Sequence, residues 1–305
     1  MTALRVLRAV AERGSFTAAA AELGYTQSAV SRQVAALERE ANSVLFERRA
    51  TGARLTTNGL IVLRHAHVIL EEIASAQREL DGTDTGVCQV RLGAYISAGA
   101  IIVPRLLQSL RDQRPDIRVI TREDTTPALV RALREGTLDL AVISSRPPYR
   151  APDNELPALI TEVIDEAALV VAASATGRFA GRRAVSVDEL HDVDWIASPS
   201  ASSEPLLGVW PGLAGRPRIA HTVRDWLTKL QLVAADCGLT SVPPNLADFL
   251  PPGVQIMRVE GGPQERRRAL SARMPGRPPS SVVAVIAALR AQYASERQAR
   301  GGTRA

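Results

Sequence analysis

Between Gly14 and Glu40 the run GSFTAAAAELGYTQSAVSRQVAALERE specifies two helices and the turn between them by local chemistry alone. Ser15 is an N-cap residue, the alanines after it favour helix and permit close packing, and Gly24 suits a left-handed exit. Thr26 caps a second helix, with Tyr25 and Val30 spaced for a hydrophobic staple across its start. On that helix Val30, Val34, Leu37 and Ala41 form one stripe, the expected core contact. The opposite face presents Ser28, Ser31, Arg32, Ala35 and Arg39, with Thr26 and Gln27 at the N-terminal tip. Short hydroxyls allow close approach to a major groove, arginine bonds guanine bidentately, and glutamine bonds adenine. A solvated surface helix carries the same residue types, so this face needs corroboration.

The next residues supply it. VLFERRATGARLT places two short strands around a turn, with Arg48, Arg49 and Arg54 near its tip, where a wing meets phosphates. Taken together, AERGSFTAAAAELGYTQSAVSRQVAALERE and LFERRATGARLT resemble the winged helix-turn-helix of the LysR-type transcriptional regulators, over about sixty contiguous residues in order and spacing. Two positions depart from the family pattern: Ser28 stands where proline is common, and Asn42 where glycine is common. Asparagine tolerates the left-handed conformation, so the turn at Asn42 is expected to be retained.

The resemblance implies a fold class: an N-terminal all-α winged helix-turn-helix with a long linker helix, then an α/β periplasmic-binding-protein-like effector domain of two subdomains. It also implies a function: binding an interrupted palindrome in double-stranded DNA near a promoter, as a homodimer or homotetramer that acts on RNA polymerase and answers to a small-molecule effector. Activation and repression are both compatible with it.

Overall charge adds little to the DNA argument. The chain of 305 residues has a formal net charge of +5. Residues 1–81 hold ten arginines against nine acidic residues, whereas residues 261–305 hold nine arginines against Glu265 and Glu296. The basic excess therefore sits in the C-terminal segment, where a frayed, solvated tail over 295–305 is the expectation. Lys229 is the single lysine among 37 Lys and Arg residues, a bias read as codon usage.

Residues 1–56 read as the winged head and 57–81 as one long helix. In that helix Val62, Ala66, Ile69, Ile73, Ala76 and Leu80 alternate spacings of four and three, a heptad seam for a partner helix. Packing on the protein's own body is the other reading of such a stripe; the resemblance favours dimerisation. DGTDTG, residues 81–86, reads as a linker, with the hinge expected over 82–87. From 88 to 294 strands and helices alternate: CQVRLGAY, DIRVITRED and LDLAVIS as strands around two helices give βαβαβ and a parallel sheet. A second unit of the same kind is expected over 165–265, so that the first comprises 88–164 and 266–294, with crossings near Asp165 and Glu265.

A ligand would then sit between the units, at strand C-termini and helix N-termini. By position the candidates are Tyr95, Ser97, Thr125, Thr126, Ser144 and Arg146 from the first unit, with Ser198, Ser200, Trp226 and Thr240 from the second. Ser97 and Thr126 suit helix capping equally well, and Tyr95 and Trp226 suit the core equally well. Helix N-termini and Arg146 favour a carboxylate.

No GxSxG elbow, phosphate loop, GxGxxG or HExxH occurs, and no nucleophile stands near a base in sequence, so an enzyme is not expected. No cofactor or metal is expected either: His65 and His67 point in different directions, and Cys88 and Cys237 lack metal spacing. A solute-binding or transferase-like enzyme with a helical head, and an unrelated winged-helix protein that only binds partners, are the competing classes. No apolar run is long enough to span a bilayer and the start lacks a signal h-region, so the expected location is cytoplasmic, without membrane contact.

Overall fold

The computed structural model describes residues 1–49, 52–80, 87–199, 207–213, 215–262 and 265–302. Three helices open the chain: α1 (Thr2–Arg13), α2 (Phe16–Leu23) and α3 (Gln27–Glu40). Gly14 and Gly24 end the first two at φ 62° and 68°, Ser15 Oγ accepts from Ala18 N, and Thr26 Oγ1 accepts from Ala29 N. The starts of α2 and α3 thus each satisfy an otherwise orphaned N–H with their own sequence. Asn42 takes the left-handed conformation at φ 45°, keeping the turn without glycine.

Val30, Val34 and Leu37 bury against Val6, Leu7, Val10, Ala19 and Ala20. The staple does not form. Tyr25 stays 48% exposed, outside this core, because Val30 is already enclosed by the three helices. Strands β1 (Phe46–Arg49) and β2 (Gly52–Leu55) pair antiparallel as the wing, setting Arg48 opposite Ala53 and Arg49 opposite Gly52. The wing is tied to the helices twice: Glu38 Oε1 accepts from the N–H groups of Leu45 and Phe46, and Ala53 N donates to Gly14 O at 2.7 Å. Gly52, at φ 130°, is required there, since a Cβ would lie 2.3 Å from Gly14 O.

Helix α4 (Thr57–Leu80) follows, and it corrects the seam. Ala66 is fully buried in the head's own core, with Leu63 and the partly buried Val62 beside it, so the first turns of the stripe are intramolecular. Ile69 is exposed and Ile73 half-buried, and Ile61 and Val68 are exposed with Ile69. The exposed large apolar residues described on α4 are thus Ile61, Val68 and Ile69, while the side chain of Leu80, the last of the expected seam, lies outside the described residues.

The body starts with β3 (Cys88–Ala94), α5 (Ile96–Gln113), β4 (Ile117–Glu123), α6 (Thr126–Arg134) and β5 (Leu140–Ser145). Its second subdomain is entered through β6 (Ile160–Ala168) and holds β7 (Val170–Ser174), β8 (Ala184–Ser186), β9 (Asp194–Ala197), β10 (Arg218–Thr222), α7 (Trp226–Ala234), β11 (Thr240–Val242) and β12 (Val254–Glu260). The chain returns along β13 (Arg266–Arg273) and ends in α8 (Ser280–Gly302).

The first sheet has the order β4-β3-β5-β13-β6, parallel among β3, β4 and β5 as the βαβαβ pattern requires. The crossings β6 and β13 pair antiparallel along their length, from Arg266 opposite Ala168 to Arg273 opposite Ile160. The second sheet, β11-β7-β12-β8, is not the parallel copy expected: β11 and β12 both run antiparallel to β7, and only β8 runs parallel to β12. No helix follows β7 to carry the chain across to a parallel neighbour.

The expected loose tail is also corrected. Helix α8 continues through 295–302, because Glu296 is buried and paired with Arg105, and Arg297 donates to Ile164 O at 2.6 Å. Burial of Val282, Val285, Leu289 and Tyr293 with β3 and α5 anchors the helix upstream.

Candidate functional site

Two polar surfaces stand out, one on α3 and one between the subdomains. On α3, Gln27, Ser28 and Arg32 are exposed and Ser31 is half-buried, on the side opposite the Val30, Val34, Leu37 stripe. Their hydrogen bonds run along the face: Thr26 Oγ1 to Ser28 Oγ at 3.1 Å, and Gln27 Nε2 donating to Ser31 Oγ at 3.1 Å. These bonds are solvent-facing and exchangeable, so the groups remain available to base edges. Arg54 is exposed on β2, with Glu47 opposite it in the pairing.

Between the subdomains lies a cavity of about 540 Å³, within the range of small-molecule sites. Tyr95, Ser97, Thr125, Thr126, Ser144, Arg146, Ser198 and Trp226 all line it, as the sequence reading expects. Ser200 lies outside the described residues. Thr240 is a correction: it is fully buried, its Oγ1 donating to Ile196 O at 3.0 Å and to Gly208 O at 3.2 Å, so it ties the second subdomain together.

Nor do Ser97 and Thr126 cap helices. The N-caps of α5 and α6 are Tyr95 and Thr125, and neither side chain bonds to its helix. Thr126 Oγ1 instead accepts from Ser144 N at 3.1 Å, pinning α6 to β5. Both helices thus bring starts without a side-chain cap to the cavity wall.

Three cationic side chains on that wall, Lys229, Arg267 and Arg150, were not anticipated. Lys229 is 1% exposed, and its Nζ donates to Ser198 Oγ at 2.5 Å and lies 5.5 Å from the Trp226 ring centroid. Burial first, and then the charge of Arg146, pulls its ammonium down to about 8. The Arg267 guanidinium stacks 4.3 Å over Tyr95, so that ring face is taken. Asp124 is the acidic side chain among the described lining residues. Burial opposes its ionisation, but Thr125 N–H and Arg122 outweigh that and hold its carboxyl below the usual range. It is ionised, but Arg146, Arg150, Lys229 and Arg267 outnumber it, and the described wall is net cationic. Among the described residues, no His, Cys, Asp and Glu group is arranged to hold a metal, and no helix is long and apolar enough to cross a membrane.

A reading head at the N-terminus and a ligand cleft in the body match two family models. Residues 1–60 match the bacterial regulatory helix-turn-helix protein, lysR family, and residues 86–294 match the LysR substrate binding domain. The chain belongs to the LysR family. A relative, the HTH-type transcriptional regulator TtuA of Agrobacterium vitis, is 30% identical over 278 residues, covering 88% of this chain and 89% of that protein. A probable RuBisCO transcriptional regulator of Emiliania huxleyi is 31% identical over 204 residues, 66% of this chain; the match spans 63% of that relative's length. Among solved structures, a full-length OxyR variant of Pseudomonas aeruginosa superposes with a TM-score of 0.63 at 21% identity, covering 96% of this chain and 93% of that one, a likeness of fold. Both matched models describe parts of regulators, not of enzymes. In this LysR-family chain the residues that sequence reasoning missed had one available signal: Lys229 is the only lysine.

Proposed function

We propose that this LysR-family chain binds an interrupted palindrome near a promoter and changes its grip when an anionic small molecule, a carboxylate in the first instance, enters the cleft. The observation that carries the reading is the pairing of a polar face, with Gln27, Ser28 and Arg32 exposed and Ser31 half-buried, on an N-capped helix with a cationic cavity between two subdomains. Gln27, Ser28, Ser31 and Arg32 read base edges, Thr26 sets the start of their helix against the backbone, and Arg48, Arg49 and Arg54 contact phosphates from the wing. An interrupted palindrome needs two heads, which the open Ile61, Val68, Ile69 face of α4 joins in a homodimer, or a homotetramer built from it. Effector binding alters the pose of the subdomains, hence the spacing of paired heads and the access of RNA polymerase. The protein acts in the cytoplasm, where its operator is.

The test is fluorescence anisotropy of the intergenic DNA upstream of the protein's own gene, against salt and against pools of metabolic acids. If each head makes about three arginine contacts, a dimer neutralises about six phosphates and log K falls against log salt with a slope near −5. A slope near zero removes the DNA assignment. Pools of neutral metabolites that shift affinity as well as acidic pools do would remove the anionic effector.

A further inference from the structure

Lys229 is the least expected group in the body. A long ammonium side chain is almost never fully buried unless paired, yet Lys229 is 1% exposed and no carboxylate pairs with it among the described residues. Its hydrogen-bond partner there is a hydroxyl, Ser198 Oγ, which uses one of three donors. The surroundings are shaped around the charge. Gly208, at φ 95°, passes so close that a Cβ would lie 3.0 Å from Nζ and 2.7 Å from Ile196 O, and the Trp226 ring supplies a π face in place of water.

The charged group near enough to perturb Lys229 is itself a cation, Arg146. The two come from different subdomains. Arg146 directly follows β5 of the first sheet, whereas Lys229 sits on α7, which packs against β7, β9 and β12 of the second. Both line the same cavity. An oxyanion bound between them is attracted to a cation of each subdomain.

Building on the anionic-effector reading, we propose that Lys229 and Arg146 are the two jaws of a split oxyanion clamp, so that the effector's carboxylate or phosphoryl group itself draws the subdomains together. Lys229 is then the specificity-determining residue: it selects ligands that bring negative charge to both jaws, and it makes their binding depend on its proton. The empty site holds the ammonium near 8, and a bound anion raises it. Below about pH 7 the lysine is already charged in both states and affinity is flat. Above pH 8 binding must take up a proton, so the dissociation constant rises by a factor approaching about tenfold per pH unit. Ser198, Thr240 and the Trp226 ring, the other groups around Nζ, do not titrate in that range.

The experiment is calorimetric titration of the full chain with sulfate and, separately, malonate, at constant ionic strength in chloride, from pH 6.5 to 9.5. Wild type is compared with Lys229→Met and Arg146→Met. The clamp predicts a flat acid limb and a rise in dissociation constant beginning near pH 8 for wild type. It predicts at least tenfold weaker binding and no such rise for Lys229→Met. For Arg146→Met it predicts weaker binding with the rise displaced to higher pH, because the neighbour that depresses the lysine is gone; a merely structural arginine does not move that limb. Anion binding that is equal in wild type and Lys229→Met, or independent of pH in wild type, overturns the clamp but leaves an anionic cleft. Absence of binding by both anions in wild type overturns the clamp and the anionic reading together.

Discussion

The head and the cleft of this protein handle their polar groups in opposite ways. In the head, Ser15, Thr26 and Glu38 meet backbone N–H groups within a few residues in sequence, the glycines sit where left-handed turns need them, and the exposed reading face is solvated. In the cleft, Lys229 is buried with no acid paired to it among the described residues, and α5 and α6 start without side-chain caps. A surface that is complete by itself can wait for DNA at no energetic penalty. A pocket that buries an ammonium is stabilised by a ligand of opposite charge, and so is poised to respond when one arrives.

The largest expected effect tests the cleft side. At neutral pH the Lys229 ammonium is buried with its ordinary value of 10.5 drawn down to about 8, a penalty on the charged form of about 3 kcal/mol. Lys229→Met should therefore stabilise the empty protein at pH 7 by up to about 3 kcal/mol. The sign follows from proton counting: between pH 8 and 10.5 the unfolded chain holds the proton more tightly, so wild-type stability rises through that window and the advantage of the variant disappears. Urea unfolding at pH 7 and pH 10 checks it. A destabilised Lys229→Met at pH 7 would place this charge with the satisfied groups and dissolve the contrast.

A second effect of similar size concerns the joint between the two regions. His67 of α4 is 4% exposed, faces Arg91 of β3 with its Nδ1 3.3 Å from Nη1, and lies against Gly136 after α6. Burial, then the charges of Arg91 and Arg8, lowers its value from 6.5 to about 4. The protein folds with His67 neutral. As pH falls from 6.5 to 4 the unfolded chain takes up the proton first, and stability drops by up to about 3 kcal/mol. His67→Gln should flatten that acid limb in unfolding curves; an unchanged limb would assign it elsewhere.

On the head side the effects are smaller and separable. On the proposed reading of bases, Arg32→Ala should weaken specific operator binding by about 1 to 3 kcal/mol with unchanged thermal unfolding, since its side chain is exposed. Unaltered affinity in a filter-binding titration would put Arg32 off the base edges. Ser15→Ala removes a cap worth about 1 kcal/mol of stability and should leave sequence preference intact.

The same contrast explains what the sequence made legible. Caps, stripes and left-handed turns are local, so α2, α3, the wing and Asn42 could be placed from residues a few positions apart. The first three body strands carried apolar residues in alternation or, in β5, in an unbroken run, and were equally clear. Strand β6 was not, because Ile160 and Val163 are half exposed and acidic residues interrupt its alternation; it exists through pairing with β13, a hundred residues away. Position along strands brought eight cleft residues correctly to the cavity but misplaced Thr240, whose hydroxyl turns to backbone carbonyls. Lys229 lay in plain view as the only lysine, but its burial and its company with Arg146 are tertiary facts that composition does not carry. The seam on α4 failed at Ala66 for a related reason: heptad spacing shows that a stripe is buried, not against what.

The central claim is that a self-sufficient reading head is governed by a cationic cleft that takes up an anion. A nuclease footprint on the DNA upstream of the protein's own gene, taken with and without a pool of metabolic acids, tests it most directly. The account predicts two protected half-sites separated by about one helical turn or a multiple of it, with a pattern that changes on adding the acids for wild type and stays fixed for Lys229→Met. Absence of protection, or a change that Lys229→Met shows as fully as wild type, would contradict it.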